Sequence, residues 1–227
     1  MSARPVVDTL QTVADGLRDQ FIPAFDADDV VFIPNFPGES EGIVARAEHE
    51  GVNIALPASY QRRKNQLDAV RALSLIEDES VSLTLWGARK PRDPYFLAVK
   101  ELVSSLGLTD RVHMPGFGTE FDVYSTADIV IMTSLSEGFG YPLIEAMYQG
   151  RPSVSYDFDF GPRESIVDGE TGFIVPVGDV EQLAERLQEL SSDENMRERF
   201  GKRARERYDE RFSPAAVTEH FRNLLGP

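Results

Sequence analysis

Glu137 and Glu145 bracket two glycines in the stretch Ser134-Leu135-Ser136-Glu137-Gly138-Phe139-Gly140-Tyr141-Pro142-Leu143-Ile144-Glu145. Carboxylates accept hydrogen bonds from hydroxyls, and sugars and riboses present hydroxyls in pairs. Gly138 and Gly140 have no side chain, so the backbone can approach a phosphate or a sugar closely. Pro142 suits a first helical turn, where its missing N–H costs nothing. The apolar run Ala127 to Met132 precedes this stretch, giving the order strand, glycine loop, helix. In open α/β sheets ligands bind at that edge, where a helix N-terminus offers unpaired N–H groups to an anion. Taken singly, each feature also has a plainer reading: Glu137 ends a strand, the glycines make a turn, and Glu145 is an acid in the early part of a helix.

Lys64 is the second candidate. It stands at the start of a helical pattern, Asn65 to Ile76, where its ammonium could reach a diphosphate at the strand edge. A solvated surface lysine is the usual alternative. Arg62 and Arg63 precede it in a chain that is otherwise strongly acidic, which favours an anion-binding reading for Lys64 and Arg62.

These residues need a scaffold, and the apolar spacing supplies one. Strands are predicted at Val52 to Pro57, Val81 to Trp86, Arg111 to Met114, Ile129 to Met132, Ser153 to Tyr156 and Phe173 to Val175. Between them Leu67, Val70, Leu73 and Ile76 fall on one helix face, as do Phe96, Val99, Leu102 and Val103. Alternating strands and helices predict a Rossmann-like parallel sheet flanked by helices on both faces. Helices are also expected at Val180 to Leu190, Glu194 to Arg207 and Pro214 to Leu225. Residues 51–227 therefore read as one domain. Residues 1–50 read as an entering helix (Val7 to Phe21), a short strand (Val30 to Ile33) and a Pro/Gly/acid-rich linker (Asn35 to Glu41).

Composition narrows the chemistry. The 227 residues include no cysteine and three scattered histidines, His49, His113 and His220, which excludes disulfides and zinc-thiolate sites. Asp157 and Asp159 fall in a turn-rich stretch and read as turn residues rather than as a metal pair. The formal charge of −15 opposes nucleic acid and anionic lipid, although a small positive pocket can hold a phosphate within that field. No run of about 18 apolar residues predicts a membrane span, and the N-terminus lacks a secretory pattern, so a cytoplasmic location is expected.

The arrangement of Glu137, Gly138, Phe139, Gly140 and Glu145 resembles the donor-site motif of family 4 retaining glycosyltransferases of the two-domain GT-B type. The resemblance covers roughly residues 5 to 225. Trp86-Gly87 is similar to that family's glycine loop, Arg111 to Gly116 to its base-side loop, and Lys64-Asn65-Gln66 to its phosphate-binding lysine segment. It implies one half of a GT-B fold, the C-terminal half, which binds a nucleotide sugar. Glu137 would be catalytic and, with the Gly138-Phe139-Gly140 backbone, would face the sugar and its phosphates. Glu145 would hold the ribose hydroxyls, and Lys64, Arg62 and Gly87 would bind the nucleotide, expected to be uridine diphosphate. The reaction so implied needs neither cofactor nor metal.

Two departures stand out. Ser59 occupies the place of an arginine that the family commonly sets on the phosphates, five residues before the lysine. Gly87-Ala88-Arg89-Lys90 replaces a Gly-x-Gly turn. The first leaves Arg62 or Arg63 to supply the lost contact. The family's acceptor-binding N-terminal domain has no counterpart in these motifs, so the fragment alone is expected to bind donor without transferring sugar. The alternative is a stand-alone nucleotide-sugar-binding or regulatory subunit working with a separate acceptor-domain protein.

Overall fold

The computed structural model describes residues 6–12, 26–32 and 42–225. Strands β1 (Val6–Thr12) and β2 (Asp26–Phe32) form a separate parallel pair. The main sheet has six parallel strands: β3 (Val52–Pro57), β4 (Val81–Trp86), β5 (Val112–Gly116), β6 (Ile129–Met132), β7 (Ser153–Tyr156) and β8 (Gly172–Val175). Their order in space is β5-β4-β3-β6-β7-β8. The chain thus works outward from β3 in one direction, then returns to lay β6 on the other flank of β3, pairing Ile129 with Ile54 and Val130 with Ala55. Every residue of β6 is buried, as a central parallel strand covered on both faces requires.

Helices α1 (Gln66–Ser74), α2 (Pro94–Ser105) and α6 (Val180–Ser192) cover one face. There Val70, Leu73, Val99, Leu183 and Leu187 join one core with Ile54, Leu83 and Leu85. On the opposite face α3 (Glu120–Tyr124) and α4 (Tyr141–Tyr148) bring Val123, Tyr124 and Ala146 against Ala55 and Val130. The short α5 (Pro162–Ser165) precedes β8, and α7 (Glu194–Arg211) and α8 (Pro214–Leu225) close the chain. Ile144 and Met147 of α4 pack on Ala204, Tyr208 and Phe212 at α7, so the helix after the glycine loop is clamped between the sheet and an outer helix. Local signals start these helices where they are needed. The Asp93 carboxylate accepts from the amides of Tyr95 and Phe96 with Pro94 at the first position of α2, and Thr119 and Asp122 form a reciprocal capping box on α3. Among the described residues no helix is long and apolar enough to cross a membrane.

One expectation fails. The helix expected to start at Val7 is strand over Val6–Thr12, aligned in parallel with Asp26–Phe32. The reason lies in composition: Val6, Val7, Thr9 and Thr12 are β-branched, and such side chains lose rotamer freedom in a helix but not in a strand. Residues 13–21 of that expected helix lie outside the described residues, as do Ile33 and the linker expected at Asn35 to Glu41. The short strand expected at Val30 begins earlier, at Asp26.

Candidate functional site

The sheet reverses its direction of winding between β3 and β6, and the loops after these two strands meet above that junction. Open α/β sheets form a ligand crevice at such a switch point. After β3 the chain makes a 3-10 turn, Arg62–Lys64, and Asn65 then takes a left-handed conformation with φ 51° before α1 begins. After β6 comes the glycine loop. The two are tied by backbone: the Leu135 amide donates to the Arg63 carbonyl at 2.7 Å, and the Thr133 hydroxyl lies 3.0 Å from the carbonyls of both Lys64 and Asn65.

Glu137 sits at the centre. The Lys64 ammonium and the Ser134 hydroxyl both donate to its Oε1, the latter at 2.7 Å, and Arg63 Nη1 donates to Oε2 at 2.8 Å. Burial alone would raise the pKa of this carboxyl. The hydrogen bonds from Lys64, Ser134 and Arg63, with the Lys64 charge, outweigh burial and hold it below the ordinary carboxylate value. Two cations face one carboxylate, so the cluster carries an excess positive charge. Beside it, α4 opens at Gly140, which has φ 87° and offers no side-chain cap, leaving the helix N-terminus to a ligand.

Glu145 lies apart from this cluster, on α4. The Tyr124 hydroxyl donates to its Oε2 at 3.0 Å. Burial is the main influence and raises its pKa, the Tyr124 hydrogen bond opposes that, and the nearby Glu120 charge adds to it. Tyr124 itself is fully buried, and burial next to the Glu145 charge pushes its hydroxyl well above 10.

A cavity of about 290 Å³ opens at the ends of β3, β4 and β5, lined by Pro57, Ser59, Trp86, Gly87, Phe117 and Val123 among others. Gly87 is forced by close approach: at φ 148°, a Cβ there would stand 2.2 Å from the Ala58 carbonyl oxygen. Gly138 is different. Its φ is not positive and a Cβ would meet nothing within 4 Å, so the fold does not require glycine there and a close-lying ligand would. Phe117 is 79% exposed at the cavity mouth. The buried indole N–H of Trp86 has no acceptor among the described residues.

The residues singled out from sequence therefore divide. Lys64 and Glu137 come together, and Gly138 and Gly140 frame the loop beside them. Gly87 walls the neighbouring cavity. Arg62 is exposed, and its neighbour Arg63 is the arginine that bonds to Glu137. The Phe139 side chain is buried at 3% exposure against Tyr141 and Phe212, so it anchors the loop in the core. Sequence reasoning missed Ser134 and Tyr124 as partners of the two glutamates. Ser134 precedes Glu137 by three positions, a spacing open to a local hydrogen bond. Nothing in the chain order pairs Tyr124 with Glu145. Among the described residues no group of three or more His, Asp and Glu side chains could hold a metal ion.

Residues 46–207 match the family described as glycosyl transferases group 1. Over 164 residues, 71% of this chain, the protein is 31% identical to a poly(glycerol-phosphate) alpha-glucosyltransferase of Bacillus subtilis, covering 23% of that relative. It is 26% identical over 222 residues, 94% of this chain, to a poly(ribitol-phosphate) alpha-N-acetylglucosaminyltransferase of Staphylococcus aureus, covering 43% of it. The chain thus spans less than half the length of these relatives. Among solved structures, Anabaena HepE in complex with UDP superposes with a TM-score of 0.86 over 96% of this chain and 64% of that one, at 21% identity. The doubly wound sheet is therefore the architecture of GT-B glycosyltransferases.

Proposed function

The chain belongs to the group 1 glycosyl transferases, and on that premise we propose that it is the donor-binding domain of a family 4 retaining enzyme that takes sugar from a nucleoside-diphosphate sugar. The observation that carries this reading is the convergence of Lys64, Arg63 and Ser134 on Glu137 at the switch crevice. A diphosphate bound there would take over Lys64 and Arg63, with the N-terminus of α4 adding N–H donors. Arg63 then supplies the contact that Ser59 cannot. Glu137, released from its cations, faces the sugar. Its carboxylate accepts from sugar hydroxyls and offsets the positive character that the ring develops as the bond from the anomeric carbon to the diphosphate oxygen breaks. The bonding electrons leave with the diphosphate, where Lys64 and Arg63 stabilise the growing charge. An acceptor hydroxyl forms the new bond on the same face and passes its proton to the departing diphosphate oxygen.

The base enters the cavity between Trp86 and Phe117, and Glu145, with Tyr124 behind it, accepts from the ribose hydroxyls. Uridine is the base we propose, since the superposable HepE was solved with UDP. None of these steps calls on a metal or a cofactor, because two cationic side chains and a helix N-terminus already face the leaving group. The acceptor belongs to a further domain that residues 1–50 connect to this one, so the chain alone binds donor without transferring its sugar.

Calorimetric titration with UDP, GDP and ADP tests this reading. UDP is expected to bind, and Glu145→Ala to weaken it by roughly tenfold or more, since a hydrogen bond to a charged group contributes about 1.5–3 kcal/mol. Absence of binding by all three nucleotides would remove the donor-site assignment.

A further inference from the structure

The loops 57–64 and 87–92 hold six of the chain's 23 basic residues and no acid, although acids outnumber bases 38 to 23 overall. Arg63 and Lys64 are engaged by Glu137. Arg62, Arg89, Lys90 and Arg92 form no ion pair among the described residues. Two of these, Arg89 and Lys90, line a cavity of about 340 Å³ with Ser59, Tyr60, Gln61 and Asp93. It shares the wall Ser59–Ala88 with the cavity at Trp86, and through Gln61 it adjoins Arg63, the residue bound to Glu137.

This second cavity has a fixed frame. Tyr60 is buried, its hydroxyl donates to the Leu85 carbonyl at 3.2 Å, and its ring meets Phe96 edge-on at 4.9 Å. Arg89 is held rather than free: Nη1 donates to the Met114 carbonyl at 2.7 Å and the guanidinium lies 5.5 Å from the centre of the Phe96 ring. Gln61 is held at both ends, donating from Nε2 to Ser59 Oγ at 3.0 Å and accepting from Arg63 Nε at 3.1 Å. The one acid in the lining, Asp93, is occupied in capping α2, where its Oδ1 accepts from two backbone amides. A pocket with an anchored guanidinium, an unpaired ammonium and an engaged carboxylate lacks one component, an anion.

We propose that this cavity is a second anion site, which takes a single phosphate ester or carboxylate at Arg89 and Lys90 beside the donor pocket. The site itself stands on Arg89 and Lys90, while the two sources of its anion rest on the donor reading. Its anion comes either with an acceptor or on the donor's own sugar, and two titrations separate these sources. In the first, glycerol 3-phosphate is added at low salt to the chain, free and saturated with UDP. In the second, UDP-glucuronate is compared with UDP-glucose. Glycerol 3-phosphate binding that persists beside UDP assigns the anion to an acceptor. A preference for the glucuronate conjugate assigns it to the donor sugar. In either case Lys90→Gln, an exposed position, should weaken the effect roughly fivefold while leaving UDP affinity and melting temperature unchanged, and added salt should weaken it further. Binding of neither probe, or binding indifferent to Lys90→Gln, overturns the proposal. Glycerol 3-phosphate binding without UDP binding would sink the donor assignment and leave this site standing.

Discussion

The two glutamates of one short motif inhabit opposite environments. Glu137 is ringed by Lys64, Arg63 and Ser134 and is held ionised, its carboxyl below the usual value. Glu145 lies in a largely apolar setting with Tyr124 as its hydrogen-bond partner and has its carboxyl raised. Seven residues of chain separate them, yet Glu137 looks across the sheet's switch point at the loop after β3, whereas Glu145 looks back at α3 on the opposite face. Environments that push two carboxyls apart assign them different tasks. Under the proposed function the first meets charge that appears during the reaction, and the second holds hydroxyls that do not change.

Phe139 stands between them and is common to both, so it offers the largest perturbation. Phe139→Ala empties a ring from the cluster of Ile144, Met147, Tyr208 and Phe212 and should cost about 3–5 kcal/mol, read as a lower denaturant midpoint. Because the ring anchors the loop, both carboxyls should lose their settings together. Separate loss would mean that the loop is held by its backbone bonds to Arg63 alone.

Lys64→Ala acts on one side only. UDP affinity is expected to fall roughly ten- to hundredfold, from the loss of about 1.5–3 kcal/mol of charged hydrogen bonding, with Glu145 undisturbed. Glu137→Gln should act in the reverse direction, raising UDP affinity roughly fivefold in calorimetry, because Lys64 and Arg63 no longer have to be taken from a carboxylate. Equal losses of UDP affinity in Glu137→Gln and Glu145→Ala would erase the distinction between the two sites.

The parts of this arrangement that rest on periodicity were legible in the sequence. Strands Val52–Pro57, Val81–Trp86, Ile129–Met132 and Ser153–Tyr156 fall where they were expected: Ile129–Met132 is the unbroken apolar block of a central parallel strand, whereas residues 81–85 and Ser153–Tyr156 alternate polar and apolar residues. The glycine loop was legible because Gly140 turns through φ 87°, a conformation that few residue types other than glycine adopt. The pairing of side chains was not. Arg62 and Arg63 are neighbours of one type, and only the 3-10 turn decides that Arg63 faces Glu137. Tyr124 meets Glu145 through the packing of α3 against α4, a contact between elements that leaves no trace in either one. At Val6–Thr12 the apolar spacing suited either structure, and β-branching was the stronger evidence. Phe139 reads as part of a ligand loop by its position, while its side chain belongs to the core.

Tyr124→Phe sharpens the comparison at lower cost. It removes the hydroxyl donor and keeps the ring, so the loss should be about 1 kcal/mol in chemical denaturation. The Tyr124 bond is the influence that lowers the Glu145 pKa, so the variant should raise that pKa further. A carbon-detected NMR titration of the Glu145 carboxyl would read that shift.

The finest test uses pH alone. Glu137 has a folded pKa below its ordinary 4.5, so its contribution is present above 4.5 and is lost as pH falls through the folded value. Glu145 has a folded pKa above 4.5, so the sign reverses: its contribution is present below 4.5 and is lost as pH rises through the folded value. Melting curves of the parent, Glu137→Gln and Glu145→Gln proteins across the acid range separate the two. The deficit of Glu137→Gln relative to the parent should shrink as pH falls through the acid limb, whereas Glu145→Gln should gain on the parent as pH rises above 4.5. Parallel curves would mean that both carboxyls titrate alike and that the division of tasks between them has no electrostatic basis.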